Sequence, residues 1–203
     1  MLYCVTQIGV APGKVNAALE VLARTATAAA GGRLRGCWYS EIGRLNRILV
    51  IHEHSDATSL QATLDTALRS GNPFGLAELA GTLEAEPYAM FPGIEFLAPG
   101  KPGPMYEVRT YQLKRGGLTA TFEAWAKVLE ARTRLSKLAA VMYGISGSVP
   151  RFMHIWPFES LDQRMAIRER AVKEGVWPPP GGLPHIESMQ SEIYLPAAFS
   201  PLA

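Results

Sequence analysis

The chain has 203 residues, 48% of them apolar and 19% charged, and Lys+Arg 20 against Asp+Glu 18 leaves a formal charge of +2. That composition excludes a disordered chain, and the charge balance argues against a protein that holds nucleic acid through bulk positive charge. Two cysteines, Cys4 and Cys37, complete neither a disulfide scaffold nor a four-ligand zinc site, and no apolar run approaches the ~20 residues of a membrane span.

The opening MLYCVTQIGVAPGK lacks the basic start, apolar stretch and small-residue cleavage site of a leader, so a soluble cytoplasmic protein is expected. A strand is predicted over 3–10. Val15, Leu19, Leu22 and Ala26 then recur at steps of four, three and four, one face of a helix over 15–29. Strands at 36–42 and 47–54 follow, then a helix over 57–69. Residues 76–83 suggest a helical turn or two within a long loop, and 93–97 a last strand. Pro99-Gly-Lys-Pro-Gly-Pro104 reads as a link. Beyond it, 106–113 alternates and is rich in strand formers. Lys114-Arg-Gly-Gly117 turns the chain into a helix over 118–137. Residues 139–145 and 151–158 form a predicted hairpin. Ser160-Leu-Asp-Gln163 has the pattern of a capping box for a helix reaching 173. Pro178-Pro-Pro-Gly-Gly-Leu-Pro184 cannot be helix interior, and a strand over 188–195 closes the chain.

The two halves resemble each other. Shifted by 103 residues, Tyr3 meets Tyr106, Gly13 meets Gly116 and Glu20 meets Glu123; shifted by 104, Tyr39 meets Tyr143, Arg47 meets Arg151 and Ile51 meets Ile155. Each half reads strand, helix, strand, strand, helix, strand, the ferredoxin-like βαββαβ order. Such a sheet carries helices on one face and leaves the other apolar. The expected fold is therefore α+β: two tandem ferredoxin-like units, over 1–100 and 101–203, packed sheet to sheet as an α+β barrel within one chain.

The residues also carry a family likeness. Glu107-Val-Arg-Thr-Tyr111 with Leu113, Phe122 and Trp125, then His154-Ile-Trp156 with Phe158-Glu-Ser-Leu-Asp162, resemble NIPSNAP domains. In the first half Trp38-Tyr-Ser-Glu-Ile-Gly43 is similar to that family's central hairpin. The resemblance implies the dimeric α+β barrel fold and names a relative more than a reaction. The first half departs from the pattern, with Cys4, Thr6 and Ile8 in place of Glu107, Arg109 and Tyr111, and Val50-Ile-His52 in place of His154-Ile-Trp156. The second half in turn has Tyr143-Gly-Ile-Ser-Gly147 and lacks the Ser-Glu-Ile-Gly hairpin, and these complementary losses suggest a site that combines the second half's strands with the first half's hairpin.

Glu107, Arg109 and Tyr111 alternate on a strand, so they share one face. They read either as a surface ladder of partnered charges or as a trio that binds a polar group or moves a proton. His154 shares parity with Phe152, Trp156 and Phe158. It is either a satisfied core histidine or an acid/base, and the resemblance adds haem ligation as a minor reading. Phe122, Trp125, Tyr143, Trp156 and Trp177 are either simple core or the walls of a ligand pocket between sheet and helices. Arg164, Arg168 and Arg170 with Glu169 read as a solvated face, with anion binding as the alternative. His52 and His54 share parity but lack a third metal ligand nearby, and both cysteines are expected to be inert.

Two functions follow as expectations. One is a small-molecule protein without cofactor, using Glu107, Arg109, Tyr111 and His154 in an apolar pocket of the second half. The resemblance implies oxygenation, isomerisation or cyclisation there. The other is a non-enzymatic interaction module. Neither needs nucleic acid, membrane or metal, and a monomer or a homodimer of tandem barrels is expected. An RNA-binding reading would need Phe152, Trp156 and Phe158 exposed.

Overall fold

A computed structural model describes residues 1–26 and 32–203. The strands are β1 (Leu2–Val10), β2 (Arg33–Ile42), β3 (Arg47–His54), β4 (Ala80–Met90), β5 (Met105–Leu113), β6 (Ala140–Gly144), β7 (Arg151–Phe158) and β8 (Ile186–Pro196). The helices are α1 (Val15–Thr25), α2 (Ala57–Arg69), α3 (Gly117–Leu135) and α4 (Leu161–Lys173). The part of the first predicted helix over 27–29 lies outside the described residues.

Strand β7 shows why the chain needs two layers. Met153 and Ile155 face one side, Phe152, His154, Trp156 and Phe158 the other, and all six are buried. A strand apolar on both faces must lie between two cores. The first core is the interior of a closed barrel with strand order β1-β3-β2-β8-β5-β7-β6-β4. Each half contributes four consecutive neighbours, and the two sets join edge to edge. Trp38 pairs with Pro196 and Ser40 with Tyr194 at one seam; Tyr88 pairs with Gly144 and Met90 with Met142 at the other. Closure leaves no open sheet edge. Tyr3, Val5, Trp38, Leu49, Tyr106, Val108, Met153, Ile155 and Tyr194 fill the interior.

The helices lie against the outer face. Ala18 and Leu22 of α1 pack on Ile8, Ile48 and Val50, and Trp125 and Val128 of α3 pack on Phe152 and Trp156. Asp56 caps α2 by accepting from the Ser59 amide at 2.8 Å. Ser160 caps α4 by accepting from the Gln163 amide at 3.0 Å, while Gln163 reaches back to accept from the Glu159 amide. The aromatics of β7 are thus covered by their own half's helices, not by the opposite sheet, and none is exposed as base stacking requires.

One strand differs from the sequence reading. The last strand of the first half is β4, over 80–90, not 93–97, and the helical turn is a short 3₁₀ segment at Pro73–Gly75. Residues 80–90 contain Gly81, Pro87 and two glutamates, a poor local strand signal. Pairing with β1 along their length overrides it, with Tyr3 opposite Tyr88 and Gln7 opposite Glu84. Residues 93–97 instead cross one end of the barrel. The Leu97 amide donates to Ala139 O at 2.8 Å, and Phe96 stacks on Tyr3.

The chain end is held in the same core. The Tyr106 hydroxyl donates to the Leu202 carbonyl at 2.5 Å, and both residues are fully buried. Tyr106→Phe leaves that carbonyl unpaired, so a loss of about 1–3 kcal/mol is expected in urea unfolding. An unchanged midpoint would show that the end is held by packing alone.

Candidate functional site

Three neighbouring strands of the second half set out a grid on the outer face. Ile193, Glu107 and Trp156 form one row, Ser191, Arg109 and His154 the next, and Met189, Tyr111 and Phe152 the third. The alternation of β5 alone puts Glu107, Arg109 and Tyr111 in line, and the registers of β7 and β8 supply their neighbours.

Glu107 is the electrostatic centre, and it is not a surface ladder residue: 1% of it is exposed. Its Oε1 accepts from Arg164 Nη2 at 2.5 Å, from Arg109 Nη1 at 2.7 Å and from the Ser191 hydroxyl at 2.7 Å. Burial alone would raise this carboxyl. The Arg164 hydrogen bond, the Arg109 charge and the Ser191 bond outweigh it and hold the group at about 2. Glu107 is therefore ionised, oriented and a poor base. Arg109 also donates from Nε to the Tyr111 hydroxyl oxygen at 2.6 Å. That leaves the Tyr111 O–H free to donate elsewhere. Burial raises the Tyr111 phenol, so it stays protonated.

His154 is fully buried behind this trio. Its Nδ1 accepts from Trp156 Nε1 at 2.6 Å, which places the imidazole proton on Nε2, and Nε2 has no partner among the described residues. The ring meets Tyr111, Trp125, Phe152 and Trp177 at centroid distances of 5.0–6.2 Å. Burial and the nearby Arg109 charge push the imidazole well below its usual value, so it is neutral at pH 7.

A cavity of about 200 Å³ lies over Tyr111, beneath α3, α4 and the loop that follows α4. Trp125, Trp177 and Phe152 wall it, Arg109, Arg168 and Tyr111 supply its polar surface, and Pro178, Pro179 and Leu183 cover it. A Cβ at Gly117 would sit 3.1 Å from the His185 Cβ, so the glycine lets this loop close on the start of α3. Val172, Leu183 and Met189 at the cavity are more than half exposed, a strip of apolar rim.

The sequence-predicted residues divide. Arg109, Tyr111, Trp125 and Trp177 line the cavity together. Glu107, Trp156 and His154 lie beneath it. Phe122 and Tyr143 do not line it; they pack on each other and on Phe91, at the other side of α3. Among the described residues, none of the first half lines it either. The first half's hairpin turns to the barrel end, where the Arg44 amide donates to Glu192 at 2.8 Å. His52 Nε2 donates to Ala26 O at 2.8 Å and His54 Nδ1 lies 3.2 Å from the Ser59 hydroxyl, both in the first half. Cys4 and Cys37 are buried free thiols, and burial raises Cys37 to about 12.

Arg164 and Arg168 leave the solvated-face reading behind, since both turn down to Glu107, while Arg170 pairs with Glu174 on the exposed side. Arg132, which the sequence reading passed over, is buried beside Trp156 and Trp177, with its guanidinium 4.2 Å and 5.5 Å from their ring centres. A signal for it existed: Trp125, Val128 and Arg132 share one helix face by spacing, an arginine within an apolar stripe.

Comparison with known proteins gives three findings. The NIPSNAP family model matches residues 106–201. Protein NipSnap homolog 3A of Homo sapiens is 28% identical across 94% of this chain and 81% of its own length, and Protein NipSnap homolog of Dictyostelium discoideum is 26% identical across 82% and 76%. A NIPSNAP family protein with unknown function from Agrobacterium tumefaciens str. C58 is 31% identical, over 53% of this chain and 100% of that one, with a TM-score of 0.45. Two solved structures match nearly the whole fold. They are a candidate monooxygenase from Lactobacillus acidophilus NCFM (TM-score 0.67, 8% identity, 97% of this chain and 94% of that one) and an anthrone oxidase-like protein (TM-score 0.67, 13% identity, 96% and 90%). At such identities the likeness is one of fold.

Proposed function

The chain belongs to the NIPSNAP family, and on that premise we propose that its second half binds a small aromatic metabolite in the cavity under α3 and α4. One observation carries the reading. The cavity joins aromatic walls, Trp125, Trp177 and Phe152, to a few polar groups fixed by a buried hydrogen-bonded network, the arrangement of a ligand site. Its size suits a small ligand: an enclosed apolar cavity of ~150 Å³ takes benzene, and about 200 Å³ here, open at the rim, admits at least one ring with a short substituent.

Any chemistry there is oxyanion stabilisation rather than base catalysis. Glu107 is a poor base held by its arginines, and His154 is neutral behind the aromatic wall. Tyr111 and the guanidinium groups are donors that would stabilise an enolate or phenolate in a cofactor-free oxygenation, isomerisation or cyclisation. The fold likeness supports that class by analogy alone. A second reading, a protein-interaction surface, is favoured by the exposed apolar rim of Val172, Leu183 and Met189.

Saturation-transfer NMR with one-ring compounds, benzyl alcohol and benzamide among them, tests the proposal on the full chain. Ring-proton signals are expected, and Val172→Trp at the rim is expected to abolish them. If no compound gives a signal above that of the blocked variant, the pocket reading fails. The rim would then be examined as a contact surface through the solution mass.

A further inference from the structure

The pocket reading leaves the charge of the site unexplained. The guanidinium groups of Arg109, Arg132, Arg164 and Arg168 surround the single Glu107 carboxylate. Arg164 and Arg109 take its Oε1. Arg168 approaches Oε2 only to 4.0 Å and makes no hydrogen bond among the described residues, yet it lines the cavity. Arg132 is 3% exposed, donates to the Ser136 hydroxyl at 2.6 Å, and leaves Nε without a partner. Burial and the like charge of Arg168 lower Arg132 to about 10, and burial and Arg109 lower Arg168. Holding like charges together out of water is unfavourable unless an opposite charge completes the group.

Resting on the pocket reading, we infer that the ligand is a small aromatic carboxylate whose carboxylate group is received by the Arg168 guanidinium and the Tyr111 hydroxyl. Each of these groups faces the cavity with donors to spare. Arg109 commits its Nε to Tyr111 and its Nη1 to Glu107, keeping only Nη2, and so acts chiefly as the positioning residue that holds the phenol oxygen. The ring lies among Trp125, Trp177 and Phe152. A guanidinium is suited to a carboxylate because its fork matches the two oxygens.

The test compares benzoate with its neutral isostere benzamide, by calorimetry and saturation-transfer NMR on the full chain. Benzoate is expected to bind about tenfold or more tightly than benzamide, a charge-assisted contact of the ordinary size. Arg168→Met, at a side chain 32% exposed, is expected to erase that preference, with benzoate weakened more than benzamide. Tyr111→Phe removes a donor that both compounds can use, so it is expected to weaken both, and benzoate more than benzamide. Equal affinity for the two compounds in the native protein overturns the inference and leaves the pocket reading standing. A preference that survives Arg168→Met overturns the assignment to Arg168. Binding of neither compound overturns both readings.

Discussion

Replacing Glu107 by alanine is expected to destabilise the protein by about 3–5 kcal/mol, the usual cost of removing one member of a buried ion cluster. The loss exceeds that of three hydrogen bonds because Arg109 and Arg164 remain, partly buried and close to Arg168, without the charge that holds them together. Glu107→Gln keeps the shape and part of the hydrogen bonding, so it should fall between alanine and the native protein. Equilibrium urea unfolding measures both. The same residue sets an acid limb. Its carboxyl is lowered from 4.5 to about 2 on folding, so its contribution is complete above pH 4.5 and is lost as the pH falls toward 2. Glu107→Gln should remove that component of the acid dependence. Matching acid profiles for the two proteins would mean that the arginines are satisfied without the carboxylate charge.

Residues 101–203 expressed alone are expected to form a homodimer. On its own, the second half would expose the barrel-facing side chains Tyr106, Val108, Met153, Ile155 and Tyr194. It would also open two sheet edges, β6 and β8, which in the full chain pair with β4 and β2. A second copy answers both needs. The two halves share one strand order, so β6 of each copy can take the place of β2 against β8 of the other. Sedimentation or native mass spectrometry reads the outcome. A folded monomer would show that the interior face tolerates solvent, against the size of its apolar surface.

Much of this architecture is written in short-range pattern. The alternation in 106–113 places Glu107, Arg109 and Tyr111 on one face, and the same period in β7 separates Met153 and Ile155 from His154 and Trp156. The stripe from Val15 to Ala26, the Ser160 cap and the internal likeness of the halves lead to βαββαβ twice, and a half-bare sheet then leads to a barrel. Strand β4 was not legible, because its own residues favour a strand weakly and only β1, some eighty positions earlier, makes it one.

The site divides along the same line. Its trio and its family were set by residue type and spacing, which act over a few positions. The rest depends on separations that no periodicity reports. Arg164 reaches Glu107 across 57 residues, and Ser191 reaches the same carboxylate across 84. On a helix with arginines at four-residue spacing, nothing local tells a solvated face from one turned onto a buried carboxylate. Which side of α3 faces the cavity separates Trp125 from Phe122, and the route of the loop after α4 brings in Trp177. Those choices were made by packing, where the energy of burying a side chain depends on what the remainder of the chain has already placed beside it.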